Sequence, residues 1–408
     1  MEHSLTSPPS YAESVAPVSL PPFTPTPSLF LTAPPPLDPT WLSHEQDANL
    51  WAPRPAGENP RTAYSKAGKA RNAKLLTGRD SHLDHGIAIF DTAVEGTTGK
   101  IPVRTYNPES RVDGPRHPLD SKRKSRMGEG ELGGTDIVVY YHGGGLYVGD
   151  LDSEDLTCRR IVKGLGCTVY SVAYRLMPEV TADDAFGDAF AAFMAITKLR
   201  QARRLIVMGS SSGGQLAAMV SQKYALQPMF RYRPVEGAAL VGNGKIHGVL
   251  LRGPVTCDPA NLPERFKGFH KSLLPAFHTS LAAEHCINAE NRTTGKMPLE
   301  AEMAKLPRHW IQVCTNDVFY SDGALYADAL RESGVEVEMD VVEGFPHTFW
   351  IKAPELERAV EAEIEMLEGL KWLLESPVKE EDVQPEEKKA GFVPFSDAEI
   401  RAKFAGEE

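Results

Sequence analysis

Leu205-Ile-Val-Met-Gly-Ser-Ser-Ser-Gly-Gly214 is the stretch of sequence that decides the fold. Its apolar start predicts a buried strand, and the glycines after it predict a tight turn into a helix. In a Gly-x-Ser-x-Gly turn of this kind, the serine hydroxyl is exposed as a nucleophile. Only Ser211 has a glycine two positions before it and another two positions after it, at Gly209 and Gly213. The alternative interpretation is an ordinary Ser/Gly-rich helix cap.

A second glycine-rich motif, His142-Gly143-Gly144-Gly145, follows directly after the apolar run 136–141. Glycines at the end of a strand allow backbone N–H groups to converge on one point, which suits a developing oxyanion. The alternatives are a flexible loop or a phosphate-binding turn, although the Gly-x-Gly-x-x-Gly spacing of a dinucleotide site is absent. Because His142 precedes the glycines, we expect it to orient the loop and not to act as a base.

Apolar strand patterns alternate with helical patterns through the middle of the chain. The strands are short, rich in β-branched residues and flanked by turn residues, as expected where both faces of a sheet are covered. Repeated β-α-β units predict an α/β fold with a mostly parallel central sheet flanked by helices. The predicted strands are 136–141, 167–173, 205–208, 246–251, 310–314 and 335–342, and the predicted helices are 183–199, 214–226, 323–333 and 355–374.

Taken together, the motifs resemble the hormone-sensitive-lipase-like esterases, the third group of α/β-hydrolase-fold proteins. The resemblance extends over five motifs in the family's order, at 142–150, 174–179, 209–214, Asp317 with Asp322-Gly323, and 344–349. It implies an α/β-hydrolase fold with a helical cap, built here from roughly 41–85 and 254–303.

The resemblance also implies the roles of individual residues. Ser211 would be the nucleophile, His347 the general base and then the acid, and Asp317 the carboxylate that orients His347. This gives the order Ser…Asp…His that the fold requires. Asp322 is the competing carboxylate, but we expect it to cap a helix. The oxyanion hole would be formed by the N–H groups of Gly143, Gly144 and Ser212, with His142 and Gly145 orienting the loop.

Two residues beside the nucleophile depart from the family pattern. Ser210 stands where an acidic residue is usual, and Ser212 stands where alanine is usual. Neither position supplies triad chemistry, so the departures bear on rate and specificity and not on mechanism. A third departure is the insert 111–134, which we interpret as a solvated loop at the sheet edge.

The composition excludes several classes of protein. The chain has 408 residues and a formal net charge of −11, which argues against nucleic-acid binding. Its five cysteines are too scattered for a disulfide framework or a CxxC zinc site, so we predict no metal and no cofactor. No apolar run is long enough to span a membrane, and no secretory signal is visible. We therefore expect a cytoplasmic protein; the sequence does not indicate its oligomeric state.

The two ends of the chain differ from the middle. Residues 1–60 contain 14 of the 32 prolines, which predicts a mostly disordered N-terminal extension. Residues 376–408 form a charged tail with 9 acidic and 5 basic residues. The segment between them, 61–375, is then a single α/β-hydrolase domain.

The predicted activity is hydrolysis of a small-molecule carboxylic ester through an acyl-enzyme. An apolar set in the second cap segment favours small to medium acyl or aryl groups over charged substrates. The alternatives are an amide or formamide hydrolase, an acyl-cleaving enzyme of specialised metabolism, or a non-catalytic binding protein on the same fold. The apolar set comprises Phe266, Phe269, Leu273, Leu274, Phe277 and Leu281.

Overall fold

The central element is an eight-stranded sheet with the strand order β1-β2-β4-β3-β5-β6-β7-β8. The computed structural model describes residues 23, 25–50, 57–109, 135–199, 202–226, 245–270 and 295–375. Strands β3 to β8 run parallel, whereas β1 pairs antiparallel with β2 and β2 pairs antiparallel with β4. The strands are β1 (Ile87–Glu95), β2 (Lys100–Pro108), β3 (Thr135–Tyr141), β4 (Thr168–Val172), β5 (Ala202–Ser210), β6 (Ile246–Arg252), β7 (Arg308–Asn316) and β8 (Val337–Pro346).

Helices cover both faces of the sheet, which explains the continuous apolar runs of its central strands. On β3, Ile137 and Val139 face a core cluster shared with α4, α5 and α6, while Val138 and Tyr140 face a second cluster shared with α3 and α8. The predicted mostly parallel sheet flanked by helices is therefore confirmed. The helices are α1 (Pro39–Asp47), α2 (Pro60–Leu76), α3 (Asp155–Leu165), α4 (Ala182–Leu199), α5 (Ser212–Leu226), α6 (Tyr320–Glu332), α7 (Phe349–Lys352) and α8 (Glu357–Leu374).

The segment 25–50 differs from the disordered extension predicted for 1–60. It contains α1, in which Pro39 occupies the first turn and the Asp38 carboxylate accepts the Thr40 N–H at 2.7 Å. Proline has no N–H to leave unpaired there, so a proline-rich stretch can still begin a helix. Trp41 on α1 is fully buried in a cluster with α7 and α8. The segment is therefore part of the folded domain.

The described part of the predicted cap is irregular in its second segment. The first segment contains α2, as a helical cap requires, whereas 254–270 and 295–303 contain only short 3₁₀ turns. Phe266 and Phe269 pack edge-on against Phe23, at 4.9 Å and 5.4 Å between ring centroids, and so belong to the core. The other four members of the apolar set, the insert 111–134 and the tail 376–408 lie outside the described residues.

None of the described helices has both the length and the apolar character that a membrane crossing needs.

Candidate active site

Ser211 lies at the turn between β5 and α5, where the backbone is tightly constrained. Its φ of +55° is left-handed, which is rare for a residue with a side chain. The flanking glycines are required for space. A Cβ on Gly213 would come within 2.1 Å of the Tyr141 carbonyl oxygen, and a Cβ on Gly209 within 2.2 Å of the Gly213 carbonyl oxygen. The Ser211 N–H donates to the Arg252 carbonyl at 2.8 Å, which fixes the turn against β6.

His347 and Asp317 meet Ser211 at the carboxyl ends of the parallel strands. Asp317 follows the last residue of β7, and His347 follows the last residue of β8. His347 Nε2 is 2.7 Å from Ser211 Oγ, and His347 Nδ1 is 2.6 Å from Asp317 Oδ2. The other oxygen of Asp317 accepts the Phe319 N–H at 2.8 Å, so the carboxylate is held at both ends.

The loop 142–145, here called the oxyanion loop, departs from the sequence prediction at Gly143. The Gly143 N–H donates to the Glu154 carboxylate at 2.8 Å, so it is not a free donor for a substrate oxygen. Within the described residues, the N–H groups of Gly144 and Gly145 donate to no acceptor. The Ser212 N–H belongs to the first turn of α5, where helical amides lack an intrahelical partner.

His142 holds the next peptide unit of this loop. Its Nδ1 donates to the Gly143 carbonyl at 2.8 Å, and burial lowers its pKa, so the ring is neutral. In a planar trans peptide the N–H points away from the C=O, so this bond directs the Gly144 N–H away from the His142 ring. Tyr174 stacks on that ring at 4.4 Å and donates its hydroxyl to the His142 carbonyl at 2.6 Å. These contacts support an orienting role for His142.

The two serines that depart from the family pattern both contact the oxyanion loop or its support. Ser212 Oγ accepts the Leu146 N–H at 3.3 Å. Ser210 Oγ donates to Glu154 at 2.7 Å, beside the bond from Gly143. Sequence reasoning missed Glu154; the available signal was the loss of the acidic residue at position 210 together with an acidic pair, Glu154-Asp155, at the start of α3.

Asp322 is occupied away from Ser211. One of its oxygens accepts the N–H groups of Thr256 and Cys257 at 2.8 Å and 3.1 Å, and the other contacts His270 Nε2 at 2.7 Å. Cys257, His270 and Asp322 form the one His/Cys/Asp/Glu group within the described ranges that could hold a metal. Burial raises the pKa of the Cys257 thiol, and Asp322 already has three partners, so the cluster is satisfied without an ion.

A buried charge network lies beneath the nucleophile turn. Arg252, fully buried on β6, donates to Glu363 Oε1 on α8 at 2.5 Å and to Gln312 Oε1 on β7 at 2.7 Å. Arg160 on α3 approaches the same carboxylate at 3.4 Å, and the two guanidinium groups hold the pKa of Glu363 below its usual value despite burial. Strand β6, whose Arg252 carbonyl accepts the Ser211 N–H, is therefore joined through Glu363 to α8 and α3 on one face of the sheet.

Residues 138–351 match a family described as alpha/beta hydrolase fold. Esterase LipI from Mycobacterium tuberculosis is 30% identical over 299 residues, a match that covers 71% of this chain and 83% of LipI. The FAD-linked oxidoreductase pytB from Aspergillus terreus is 31% identical, but the match covers 58% of this chain and only 29% of that protein.

The solved structure of vibralactone cyclase has the same fold. It aligns with a TM-score of 0.64 and 22% identity, and the match covers 86% of this chain and 98% of that one. At this identity the likeness shows a shared fold and nothing about activity. The protein is thus an α/β hydrolase. The chain belongs to the α/β-hydrolase fold family, among its hormone-sensitive-lipase-like esterases, so the predicted fold and family are confirmed.

Proposed function

We propose that this protein hydrolyses carboxylic esters with small to medium, largely apolar acyl or aryl groups. One observation carries the proposal, the continuous array Ser211 Oγ, His347 Nε2, His347 Nδ1 and Asp317 Oδ2, with contacts of 2.7 Å and 2.6 Å. Esterase names among the relatives agree with it. The Phe319 ring, which lies edge-on to His347 at 5.0 Å, supplies apolar surface beside the reacting atoms.

The mechanism follows from the order of contacts in this array. Ser211 Oγ attacks the ester carbonyl carbon while His347 Nε2 takes the hydroxyl proton, because neutral serine is a weak nucleophile. Asp317 accepts the Nδ1–H and stabilises the imidazolium that forms. His347 returns the proton to the leaving alkoxide, which departs as the alcohol and leaves an acyl-enzyme. Water then attacks with His347 as base, and the carboxylic acid and free serine are released.

The oxyanion donors in this proposal are the N–H groups of Gly144 and Ser212, with Gly145 as the neighbouring donor. Gly143 is left out because its N–H is bonded to Glu154. The orientation of the Gly144 N–H is supported by the bond from His142 to the Gly143 carbonyl. Loss of one such donor typically lowers kcat by ~10²–10³.

Hydrolysis of p-nitrophenyl esters of increasing acyl length tests the proposal. We expect turnover of short and medium chains by the wild-type protein, and a loss of ~10⁴–10⁶ in kcat for Ser211→Ala with an unchanged unfolding temperature. Ser43→Ala on the exposed face of α1 is the matched control and should retain full activity. An active Ser211→Ala variant would contradict the assignment of the nucleophile.

Matched ester and amide substrates separate the main alternatives. A rate on the amide equal to that on the ester would favour the amide or formamide hydrolase. A wild-type protein that turns over neither substrate and does not react with a fluorophosphonate probe would instead be a non-catalytic binding protein.

A further inference from the structure

The Glu154 side chain joins the two loops that form the proposed active site. Glu154 directly precedes α3 and is buried. Its Oε1 accepts the Gly143 N–H at 2.8 Å in the oxyanion loop, and its Oε2 accepts the Ser210 hydroxyl at 2.7 Å beside the nucleophile. We infer that Glu154 is a positioning residue for catalysis, which holds the oxyanion loop at a fixed distance from Ser211. The inference rests on the proposed esterase function.

The bond to Gly143 completes a clamp on that loop. Glu154 fixes the N–H of Gly143, and His142 fixes its carbonyl, so both peptide units of this residue are held. The loop also lies against the nucleophile turn, since a Cβ on Gly143 would be 3.1 Å from the Ser210 carbonyl oxygen and 3.3 Å from Ser211 Cβ. A shift of Glu154 would therefore move the adjoining Gly144 N–H relative to Ser211 Oγ.

In the structure, the Glu154 carboxylate accepts hydrogen bonds on both of its oxygens. Three donors converge on the carboxylate, namely the Gly143 N–H, the Ser210 hydroxyl and the Tyr140 hydroxyl. Burial raises the pKa of the Glu154 carboxyl, and the three donors act in the opposite direction, because both oxygens of an ionised carboxylate can accept. Ser210 in turn lies 3.0 Å from the Tyr140 hydroxyl, so the cluster is closed on itself.

The serine at position 210 fits this arrangement. A carboxylate at that position would lie beside the Glu154 carboxylate, and two adjacent buried carboxylates repel each other. The small hydroxyl instead donates to Glu154. The carboxyl group beside the nucleophile turn thus comes from the residue that precedes α3 and not from β5.

Substitution of Glu154, with kcat and KM measured separately, tests the inference. In Glu154→Leu the loop loses its anchor, and we expect kcat on p-nitrophenyl acetate to fall by ~10² with KM within about 3-fold, because misplaced oxyanion donors weaken transition-state binding and not substrate binding. Glu154→Gln keeps an acceptor for the Gly143 N–H, so kcat should fall by about 10-fold or less. The rate of fluorophosphonate labelling should fall in parallel.

A buried carboxylate far from the site provides the matched control. Asp136 on β3 pairs with Arg203 and Arg204 at the opposite end of the strands. Asp136→Asn should lower the unfolding temperature and leave kcat unchanged. If Glu154→Leu is folded and its kcat equals that of the wild type, the inference is wrong. It is also wrong if Asp136→Asn, at a similar loss of unfolding temperature, lowers kcat as much as Glu154→Leu does.

If Glu154→Leu does not fold, a double-variant cycle at positions 154 and 210 tests the inference instead. Ser210→Asp alone should lower kcat by at least ~10-fold, since it places two carboxylates together. The double variant Ser210→Asp with Glu154→Gln should recover most of the lost kcat, because the Gln amide can donate to the new Asp carboxylate. Purely additive effects would overturn the inference. A wild-type protein without ester turnover or probe labelling would instead overturn the proposed function.

Discussion

Ser211 and Thr348 show how single residues hold the proposed catalytic groups in place. Both have left-handed backbone conformations, with φ of +55° and +52°, and Thr348 directly follows His347. Such a conformation costs a residue with a side chain roughly 1–2 kcal/mol and persists only where its surroundings determine it. Ser211 is held by hydrogen bonds on both its N–H and its C=O, to Arg252 and Gln215. The backbone of Ser211, the proposed nucleophile, is therefore fixed by the fold itself.

At the same scale, His309 makes stability depend on pH. It is fully buried on β7, its Nδ1 donates to the Pro307 carbonyl at 2.8 Å, and burial lowers its pKa to about 4. The unfolded chain, with a histidine pKa of ~6.5, binds the proton first as pH falls, so stability is lost between about pH 6.5 and pH 4.

We expect His309→Asn to lose less stability than the wild type on acidification. The predicted difference between pH 7 and pH 5 is about 2 kcal/mol, measured by urea unfolding at each pH. Equal losses in the two proteins would contradict a neutral buried His309.

Among the elements, α8 is docked by a buried carboxylate as well as by apolar side chains. Glu363 on α8 meets Arg252 on β6 and Arg160 on α3, and all three side chains are nearly fully buried. Removal of one member of a buried ion pair leaves an uncompensated charge, which costs more than the intact pair contributes.

Glu363→Leu should therefore lower the free energy of unfolding by about 3–5 kcal/mol. Glu361→Ala, in the same helix but exposed and 3.8 Å from Arg358, should change it by less than ~1 kcal/mol. Chemical unfolding of the two variants measures both free energies. Similar losses of unfolding free energy would contradict a larger contribution from the buried Glu363 pairs.

For the whole molecule, the segment 25–50 connects the loops on which the active site depends. Asn316, the neighbour of Asp317, donates its side-chain N–H to the Pro35 carbonyl at 2.8 Å. The Asp38 N–H donates to the Gly344 carbonyl at 2.8 Å, three residues before His347. The start of the described chain thus holds both loops that carry the partners of Ser211.

Deletion of residues 1–57 should lower both kcat and the unfolding temperature. We expect a loss of at least ~10-fold in kcat, because misplacement of the triad by about 1 Å can cost ~10² in rate. Deletion of residues 1–22 removes none of these contacts and is the control. Full activity after the longer deletion would show that the segment does not position the site.

The sequence predicted the elements whose patterns are local and missed those that depend on distant partners. Strands β3 to β7 were predictable because each contains a short, largely buried apolar run. Strand β8, at the other edge, is only partly buried and was predicted from its β-branched residues and the turn residues that flank it. Strands β1 and β2, at one side of the sheet, were missed because neither has a continuous buried apolar run, and polar side chains such as Arg104 and Asp91 pair across them.

Two structural features, one in the site and one in the N-terminal segment, could not be predicted from the sequence for the same physical reason. The bond from Gly143 to Glu154 joins residues on separate elements, so the motif alone suggested a free Gly143 N–H. The proline density of 1–60 concealed α1, whose stability comes from packing Trp41 against helices more than 300 residues later. Patterns within one segment do not encode such contacts.

The contacts of segment 25–50 also determine when the active site can form. Pro35 bonds to a residue 281 positions later, and Thr26 to Asp328, 302 positions later. Contacts that close such long loops form late in folding, because the loss of chain entropy must first be offset by the intervening structure. On the ribosome, the first segment of the described chain therefore waits for almost the last strand, and a nascent protein remains unable to cleave esters until β8 has emerged.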